Sequence, residues 1–384
     1  WVLESGAVTR QRLIAGLVII ALAGCGGGGD DLVLPPRDTR PETTIPARTT
    51  TSTTAGTPGT TAPPVASTPW EPVTGNLAGL PSECGTVGIV SAQPGTDLVV
   101  AGVARQGLWA LGGAPAEWVA LGGGATVDNR PTWIQWDPAD PARFWESGIY
   151  TGSAVYTTAD GGNTFEQLGD IRHTDTVSVD LSDPARRTML AGEHESPVVF
   201  KSTDGGSNWT AVPDGPTTII GQAFAPLVLD AETYLVGTKG GAGSGVFRTT
   251  DGGDTWAQVH EGAMSSQPLV AADGSIFWIL EAGGMIQSTD QGATWIDLPG
   301  RVGGSLGLVQ LPDGRLAAVS GEHVVVSADE GTSWTAIGPD VPYSPLGLTY
   351  SAVRKAFYIW RLDCAEGEIP VGADNIMSMA FDGG

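Results

Sequence analysis

The sequence predicts an all-β fold, a seven-bladed β-propeller whose blades are four-stranded antiparallel sheets. One observation is an eight-residue signature that occurs five times, beginning at Thr158, Ser202, Thr249, Ser288 and Ser327. Its copies start 44, 47, 39 and 39 residues apart, a period typical of propeller blades in an all-β chain. The other observation is that the segments between copies are short alternating runs, with no long stretch of helical period.

Each copy of the signature has the same residue types at the same positions. Ser or Thr comes first, Asp third, Gly fifth and an aromatic residue eighth, as in Ser202, Asp204, Gly206 and Trp209. Asp carboxylates and Ser or Thr hydroxyls hydrogen-bond to the backbone of tight turns, and Gly accepts positive φ. We therefore predict structural aspartates at the turn between the third and fourth strands of each blade. They are Asp160, Asp204, Asp251, Asp290 and Asp329, with Asp382 in a half copy near the C-terminal end.

Residues 267–298 illustrate one predicted blade. They contain four short strands, at 268–270, 275–280, 284–288 and 294–298, separated by turns rich in Gly and Asp. An earlier blade is marked by residues 111–118, which keep the spacing and the Trp of the signature but not its polar residues. This count predicts seven blades. Six is the alternative, if residues 83–120 do not form a sheet of their own.

The two ends of the propeller domain carry complementary parts of one blade. Residues 380–384 hold the first half of a signature without its Trp, and residues 68–73 match the fourth strand that follows each copy. We therefore predict that the last blade combines three C-terminal strands with one N-terminal strand, which removes an exposed sheet edge. This closure places Cys84 and Cys364 on the same rim of that blade, and in an exported protein we expect them to form a disulfide.

The segment before the propeller predicts export. Two arginines precede a short apolar run, so residues 1–24 are interpreted as a signal peptide. The run ends in Leu-Ala-Gly-Cys, which resembles the lipobox of bacterial lipoproteins and implies lipidation of Cys25. The expected location is then the bacterial cell envelope, outside the cytoplasm, with a lipid anchor as the only contact with the membrane. An ordinary secretory signal with an incidental Cys is the alternative.

The composition changes twice more along the chain. Residues 25–67 are rich in Gly, Thr and Pro, with few apolar side chains to bury, and they predict a disordered tether. Residues 68–384 form the predicted propeller.

The charge of the chain limits its partners. It carries 42 acidic and 19 basic side chains, a net charge of −23. A negative field repels phosphate backbones, which excludes nucleic acid as the expected partner. Neutral partners such as proteins, peptides and glycans, or cationic partners including metal ions, are favoured, and no motif predicts a cofactor.

The candidate ligand-binding residues belong to the face opposite the repeated turns, where loops between blades meet loops between second and third strands. The densest group lies in the third blade: Arg172, His173, Asp175, Glu193, His194 and Glu195. Histidines beside carboxylates suit acid–base chemistry or metal binding. No metal-ligand spacing such as H-E-x-x-H is present, so no metal is predicted. An ordinary solvated polar rim is the alternative.

Three further candidates come from other blades. Glu146 and Arg361 are assigned to loops between second and third strands, and Trp145 is placed beside the loop of the second blade. An exposed Trp ring is a stacking platform for sugars. Packing of the Trp residues in the core is the alternative interpretation.

The repeated signature resembles the Asp-box, or BNR repeat, of bacterial sialidases, sortilin-type receptors and related propellers. The resemblance covers residues 68–384 and implies that the boxes are structural and lie away from the ligand-binding face. It does not extend to sialidase activity, because the Arg-Ile-Pro segment of that family is absent. Related xyloglucan-cleaving enzymes work in a cleft between two propellers, whereas this chain predicts one. The photosystem II assembly factor and sortilin-like receptors, which bind proteins or peptides, resemble it more closely.

These observations together predict a membrane-tethered, monomeric propeller that binds a protein, peptide or glycan on its loop face and is not an enzyme. The alternative is a glycoside hydrolase, sialidase-like or another BNR-repeat glycosidase, that uses carboxylates of the same face.

Overall fold

The computed structural model describes the propeller domain with several gaps. The described residues are 68–83, 85–113, 116–123, 127–150, 152, 154–212, 222–241, 243–303, 307–362 and 368–383. The predicted signal peptide and tether, with Cys25, lie outside them. Cys84 and Cys364 also lie outside the described residues, so both the lipidation and the disulfide stay predictions.

The chain first forms a short N-terminal segment and then three complete blades. The N-terminal segment contains β1 (Glu71–Pro72), a 3₁₀ helix (Gly75–Leu77) and β2 (Pro81–Glu83). The first blade contains β3 (Val87–Ala92), β4 (Val99–Val103), β5 (Gly107–Leu111) and β6 (Trp118–Ala120). The second contains β7 (Arg130–Trp136), β8 (Phe144–Ile149), β9 (Val155–Thr158) and β10 (Glu166–Gln167). The third contains β11 (Thr174–Val179), β12 (Met189–Glu193), β13 (Val199–Ser202) and β14 (Thr210–Ala211).

Three more blades repeat the same antiparallel order of strands. The fourth contains β15 (Gln222–Val228), β16 (Tyr234–Lys239), β17 (Gly245–Thr249) and β18 (Ala257–Glu261). The fifth contains β19 (Leu269–Val270), β20 (Ile276–Ile279), β21 (Met285–Ser288) and β22 (Ile296–Leu298), all inside the predicted ranges. The sixth contains β23 (Leu308–Gln310), β24 (Leu316–Ser320), β25 (His323–Ser327) and β26 (Thr335–Ile337).

The seventh blade closes the ring as predicted. Its C-terminal strands are β27 (Gly347–Ser351), β28 (Ala356–Trp360) and β30 (Ile376–Ala380), and β1 is its outermost strand. In β1, Glu71 pairs with Ser378 and Pro72 with Met377. The described residues therefore form seven four-stranded antiparallel blades, and the six-bladed alternative is wrong.

The N-terminal segment also joins the seventh blade to the first. Strand β2 pairs with β29 (Glu368–Pro370), which precedes β30. The Asn76 side chain accepts a hydrogen bond from the Trp118 backbone N–H at 2.6 Å and donates one to its carbonyl at 2.9 Å. The Trp118 ring in turn donates to the Val73 carbonyl at 2.9 Å. The N-terminal segment therefore connects the seventh blade to the first at the point where the ring closes.

The middle strands of each blade are buried because neighbouring blades cover both of their faces. Strands β20 and β21 are buried along their whole length, whereas the outer strand β22 is largely exposed. Apolar side chains of adjacent blades meet between the sheets, as Leu235 and Val246 of the fourth blade do with Trp278 and Ile286 of the fifth. Continuous apolar runs in the sequence reflect this burial on two sides.

The repeated signature forms the same turn in all five copies. In one copy the Ser202 hydroxyl donates to Asp204 Oδ1 at 2.8 Å and accepts from the Gly206 N–H at 2.9 Å. Asp204 also accepts from the backbone and side chain of Asn208, at 2.9 and 2.7 Å. The equivalent bonds recur at the other four aspartates of the complete copies. The carboxylates are therefore occupied in holding their own turns.

The turn also attaches each blade to its predecessor. Gly206 has a φ of +87°, and a Cβ there would lie 2.8 Å from the Leu168 side chain of the second blade. The Trp209 ring donates to the Leu168 carbonyl at 3.2 Å. Glycine at the fifth position is needed both for the backbone conformation and for this close approach.

Asp382 departs from the structural role predicted for it. The residue two positions earlier is Ala380, which has no hydroxyl to complete the turn. The Asp382 carboxylate instead forms an exposed ion pair with Lys355 at 3.0 Å.

The repeated turns predict a specific loss of stability in acid. Hydrogen bonds to the carboxylates lower the pKa of Asp160, Asp251 and Asp290 from 3.8 to about 2, and they lower the pKa of Asp204 and Asp329. The unfolded chain then binds more protons than the folded one in this range, so stability present above about pH 4 is lost as the pH falls towards about 2. Thermal melts followed by circular dichroism from about pH 6 to pH 2 measure this loss.

A variant of one turn tests the cause. Asp290→Asn removes the titrating carboxylate, so the variant should melt lower than the wild type at about pH 6 and lose less stability on acidification. Asp254→Asn, which changes an exposed carboxylate outside the turn's hydrogen bonds, is the control. Parallel pH profiles for the wild type and Asp290→Asn would contradict the assignment.

Candidate functional site

The strand order gives the propeller two different faces. The inner strand of each blade runs from the loops between blades towards the opposite side, and the repeated turns follow the third strand on that opposite side. We call the face that carries the loops between blades and the loops between second and third strands the loop face. The predicted ligand-binding group of the third blade lies there.

Three rings meet on the loop face at the boundary between the second and third blades. The Tyr150 ring lies edge-on to the rings of His173 and His194, with centroids 5.4 Å apart in each case. The two imidazoles are stacked, with centroids 6.1 Å apart. Together with Asp175 and Glu195 they form what we call the histidine cluster.

A hydrogen bond to Asp175 holds the His194 ring in place. Asp175 Oδ1 lies 2.8 Å from Nδ1, so in the neutral ring Nδ1 carries the proton and Nε2 is the acceptor. The Oε1 atom of Glu195 lies 3.8 Å from Nε2. The His194 backbone N–H donates to the His173 carbonyl at 2.6 Å, which links the two segments that carry the histidines. The ring is therefore fixed in orientation, and its Nε2 atom is buried with no hydrogen-bond partner among the described residues.

The backbone of the cluster adopts an uncommon conformation. Tyr150, His173 and Glu195 have φ values of 69°, 56° and 54°, in the left-handed region. For residues other than Gly this region costs of order 1 kcal/mol each. Three residues with this conformation in one cluster require contacts that compensate for the cost. The ring contacts of Tyr150 with His173 and His194 are such contacts.

The cluster borders a cavity at the mouth of the central channel. The cavity has a volume of about 170 Å³. Its lining residues come from six blades: Gly88, Ile89, Arg130, Thr132, Trp133, Ile149, Asp175, Lys239, Gln267, Leu346, Trp360 and Leu362. The Arg130 guanidinium lies 5.5 Å from the centroid of the Tyr150 ring. Burial raises the pKa of Tyr150, against the opposing effect of Arg130, so its phenol is neutral at physiological pH.

The structure brings together four of the six residues predicted in the third blade. His173, Asp175, His194 and Glu195 form the cluster. Glu193 is half-buried at the end of β12, where its backbone N–H bonds the Val198 carbonyl.

Two predicted residues belong to other surroundings. Arg172 is exposed and lines a separate polar recess with Asp128 and Asp170. Arg361 lies in the seventh blade, where its guanidinium binds Asp374 at 2.7 Å and lies over the Tyr343 ring. Neither is part of the histidine cluster as described.

The placement of Glu146 and Trp145 on the loop face was wrong. Both lie inside β8, in which all six residues are buried. Trp145 packs against Ala154, Val155 and Met189 in the core between the second and third blades, so its ring is not a stacking platform. The sequence Phe-Trp-Glu-Ser-Gly-Ile continues the strand through the Glu, because a single polar residue does not end a strand when it is satisfied inside the sheet.

Glu146 is an interior carboxyl group. Asn129 Nδ2 donates to its Oε2 at 3.3 Å. Burial raises the pKa of Glu146 well above its usual value, with the Asn129 hydrogen bond opposing and the charge of Asp128 adding to the shift. The protonated form is therefore favoured, since a buried charged carboxylate is costly to desolvate.

Part of the site carries no sequence motif. Tyr150 stands next to the end of a strand, and only its contact with the two histidines makes it part of the site. Arg130 joins the site through its contact with the Tyr150 ring. The apolar lining of the cavity, such as Trp133 and Trp360, is indistinguishable in sequence from ordinary core residues of inner and middle strands.

The described part of the chain contains neither a group of metal-binding side chains nor a membrane-spanning helix. No three His, Cys, Asp or Glu side chains in the described ranges meet in a group that could hold a metal ion. No helix among the described residues is long and apolar enough to cross a membrane.

Sequence comparison supports the fold. Residues 208–355 match the model of the DUF6242 β-propeller domain. This match covers the fourth to sixth blades and parts of their neighbours. No curated protein matches the chain.

Structural comparison finds other propellers. A GH74 enzyme from Niastella koreensis is 14% identical with a TM-score of 0.53, over 76% of this chain and 54% of that one. The GH74 xyloglucanase from Xanthomonas campestris is 16% identical with a TM-score of 0.51, over 82% and 56%. The extracellular domain of a one-component system from B. thetaiotaomicron is 12% identical with a TM-score of 0.51, over 78% and 38%.

These similarities establish the fold and leave the activity open. The chain spans about half of the length of the two GH74 proteins. The identities are at most 16% among these three structures, which is the range where a shared fold hosts different functions. The protein is a β-propeller whose structural neighbours include glycoside hydrolases and a sensor domain.

Glu146 provides a test of the interior carboxyl group. A folded-state pKa above the unfolded value means that the stability contributed by the neutral group is complete below about pH 4.5 and declines as the pH rises. Glu146→Gln keeps the shape and removes the titration. The melting temperature of the variant relative to the wild type should therefore be higher at about pH 8 than at about pH 5.

Glu166→Gln, on the exposed outer strand of the same blade, is the control and should shift both melting temperatures little. If Glu146→Gln and the wild type change in parallel between the two pH values, the carboxyl group is not buried as described.

Proposed function

We propose that this protein is a non-enzymatic β-propeller that binds a protein or peptide partner at the histidine cluster. The observation that carries the proposal is the convergence of Tyr150, His173 and Glu195, three residues in the left-handed region, on one partly exposed site. Strained backbone persists where surrounding contacts hold it, and it concentrates at binding and catalytic sites. The Tyr150 side chain is large, apolar and 42% exposed, as is typical of residues that anchor a partner.

The charge of the site indicates the kind of partner. Glu193 and Glu195 flank the histidines, and the whole chain carries a net charge of −23. A neutral or basic peptide segment is therefore favoured over one with several acidic residues, because long-range repulsion slows the approach of like charges.

The cavity supports binding rather than glycoside hydrolysis. A glycosidase needs two carboxyl groups about 5–10 Å apart across the scissile bond. The described residues that line the central cavity include one carboxylate, Asp175, and it is bonded to His194. The neutral phenol of Tyr150 is also a poor nucleophile.

We also propose that the five repeated turns are Asp-boxes in the sense of the BNR-repeat propellers. The shared hydrogen bonds of Asp160, Asp204, Asp251, Asp290 and Asp329 support this assignment. Their function in this proposal is to join the third and fourth strands, on the face away from the histidine cluster.

Substitution in the cluster tests the proposed function. A peptide array probed with the labelled wild-type protein should give signals that weaken at least about tenfold for His173→Ala, His194→Ala and Glu195→Ala. These side chains are not part of the apolar core between the second and third blades, so the melting temperature should change little. His323→Ala, a half-exposed histidine of the sixth blade, is the matched control.

Two results would contradict the proposal. One is a loss of thermal stability in the cluster variants with no change in peptide binding. The other is turnover of chromogenic glycosides by the wild type that a single carboxylate substitution on the loop face abolishes, which would favour the hydrolase.

We further propose that the propeller is tethered to the bacterial cell envelope through a lipid on Cys25. The lipobox-like residues and the Gly-, Thr- and Pro-rich segment of residues 25–67 support this proposal. The full chain expressed in a bacterium should incorporate labelled fatty acid and fractionate with membranes, whereas Cys25→Ser should remain unlabelled and leave the membrane fraction. Equal labelling of the two proteins would rule out this anchor.

A further inference from the structure

We propose that the central channel binds a carboxylate with an extended apolar chain, such as a fatty acid, with its carboxylate at the loop face. This site goes beyond the proposed partner site, with which it shares Asp175. Two cavities, of about 170 and 290 Å³, share Trp133 and Gln267 among their lining residues. Together they reach the range of about 300–1,000 Å³ that is typical of small-molecule sites.

The two cavities follow the length of the inner strands. Arg130, the first residue of β7, lines the upper cavity, and Gln135, near the end of the same strand, lines the lower one. A strand of this length extends about 20 Å. The channel therefore suits a long, narrow ligand.

The walls favour a hydrocarbon chain. The second cavity is lined mainly by apolar side chains, among them Val177, Val179, Leu181, Pro226, Leu227, Leu229, Pro268 and Val270. Contact with these side chains removes the apolar surface of a hydrocarbon chain from water, which is favourable.

The charges at the two ends set the orientation. Arg130 and Lys239 line the upper cavity, and the Asp175 carboxylate there is bonded to His194. At the other end, a recess that shares Ser182 with the second cavity has four acidic lining residues and one basic one: Asp180, Asp183, Asp230, Glu232 and Arg187. A carboxylate is attracted to the upper end and repelled from the lower one.

Calorimetric titration of the full chain tests the proposal. Dodecanoate should bind with about one ligand per chain. Dodecanol, which has the same chain without the charge, and hexanoate, which has the charge with a short chain, should each bind at least about tenfold more weakly. Failure of dodecanoate to bind, or equal affinity for dodecanoate and hexanoate, would overturn the proposal.

Two variants locate the ligand. Arg130→Met should weaken dodecanoate binding at least about tenfold and leave dodecanol binding unchanged. Arg301→Met, which removes an exposed arginine between the fifth and sixth blades, is the matched control and should bind as the wild type does. Equal weakening by the two arginine variants would show a general effect of net charge and overturn the assigned site.

Val270→Asp places a carboxylate at the lower cavity, where Val270 is 46% exposed and the change is tolerable. Dodecanoate affinity should fall at least about tenfold, while hexanoate affinity stays unchanged because its chain ends higher in the channel. Unchanged dodecanoate binding would exclude the channel as the site. Peptide binding by the histidine cluster is measured with His194→Ala, so failure of either proposal is recognisable separately.

Discussion

Pairing of β1 with β30 is the contact on which the rest of the ring depends. A row of blades that did not close would expose the edges and apolar faces of its first and last sheets, a combination that promotes aggregation. The outer position of the seventh blade is instead filled by residues from the opposite end of the domain. Trp70 and Phe381, which flank the paired strands, pack in the same apolar cluster. The Thr68 hydroxyl adds a hydrogen bond to the Ala380 carbonyl at 2.6 Å.

Closure determines which groups meet on each face. Once the ring is complete, the repeated turns lie on one side and the loops between blades on the other. The polar side chains of the turns satisfy their own backbone, which leaves them little capacity for a ligand. The loops have no such internal task, and they carry the histidine cluster and the mouth of the central channel. We therefore place the proposed binding sites on the loop face, because the polar groups of the opposite face hold the turns within the blades.

The histidine cluster and the channel are adjacent but chemically different. The cluster consists of rings and carboxylates that are partly exposed, and it suits the surface of a partner. The channel is narrow and apolar, with basic residues at one mouth and acidic residues near the other. Arg130 lies between them, over the Tyr150 ring and in the wall of the upper cavity. Binding in the channel would place a ligand next to the surface that we propose for the partner.

The architecture could be predicted from the amino-acid sequence because the repeated signature is local. Each copy specifies one turn through residues within eight positions, and the spacing of the copies counts the blades. The sharing of the seventh blade by the segments near Trp70 and Phe381 could be predicted for the same reason, since each segment contains part of the repeat. The group around His194 and Asp175 was also predicted, because neighbouring loops of one blade must lie close together.

Features that depend on contacts between blades could be seen only in the folded protein. Whether Glu146 faces solvent or the interior is set by the register of β8 and by the neighbouring sheets that cover it. The roles of Tyr150 and Arg130 depend on the angle between the second and third blades, which no local motif encodes. The channel is a property of the closed ring, since its lining comes from inner strands that are far apart in sequence and meet only around a common axis.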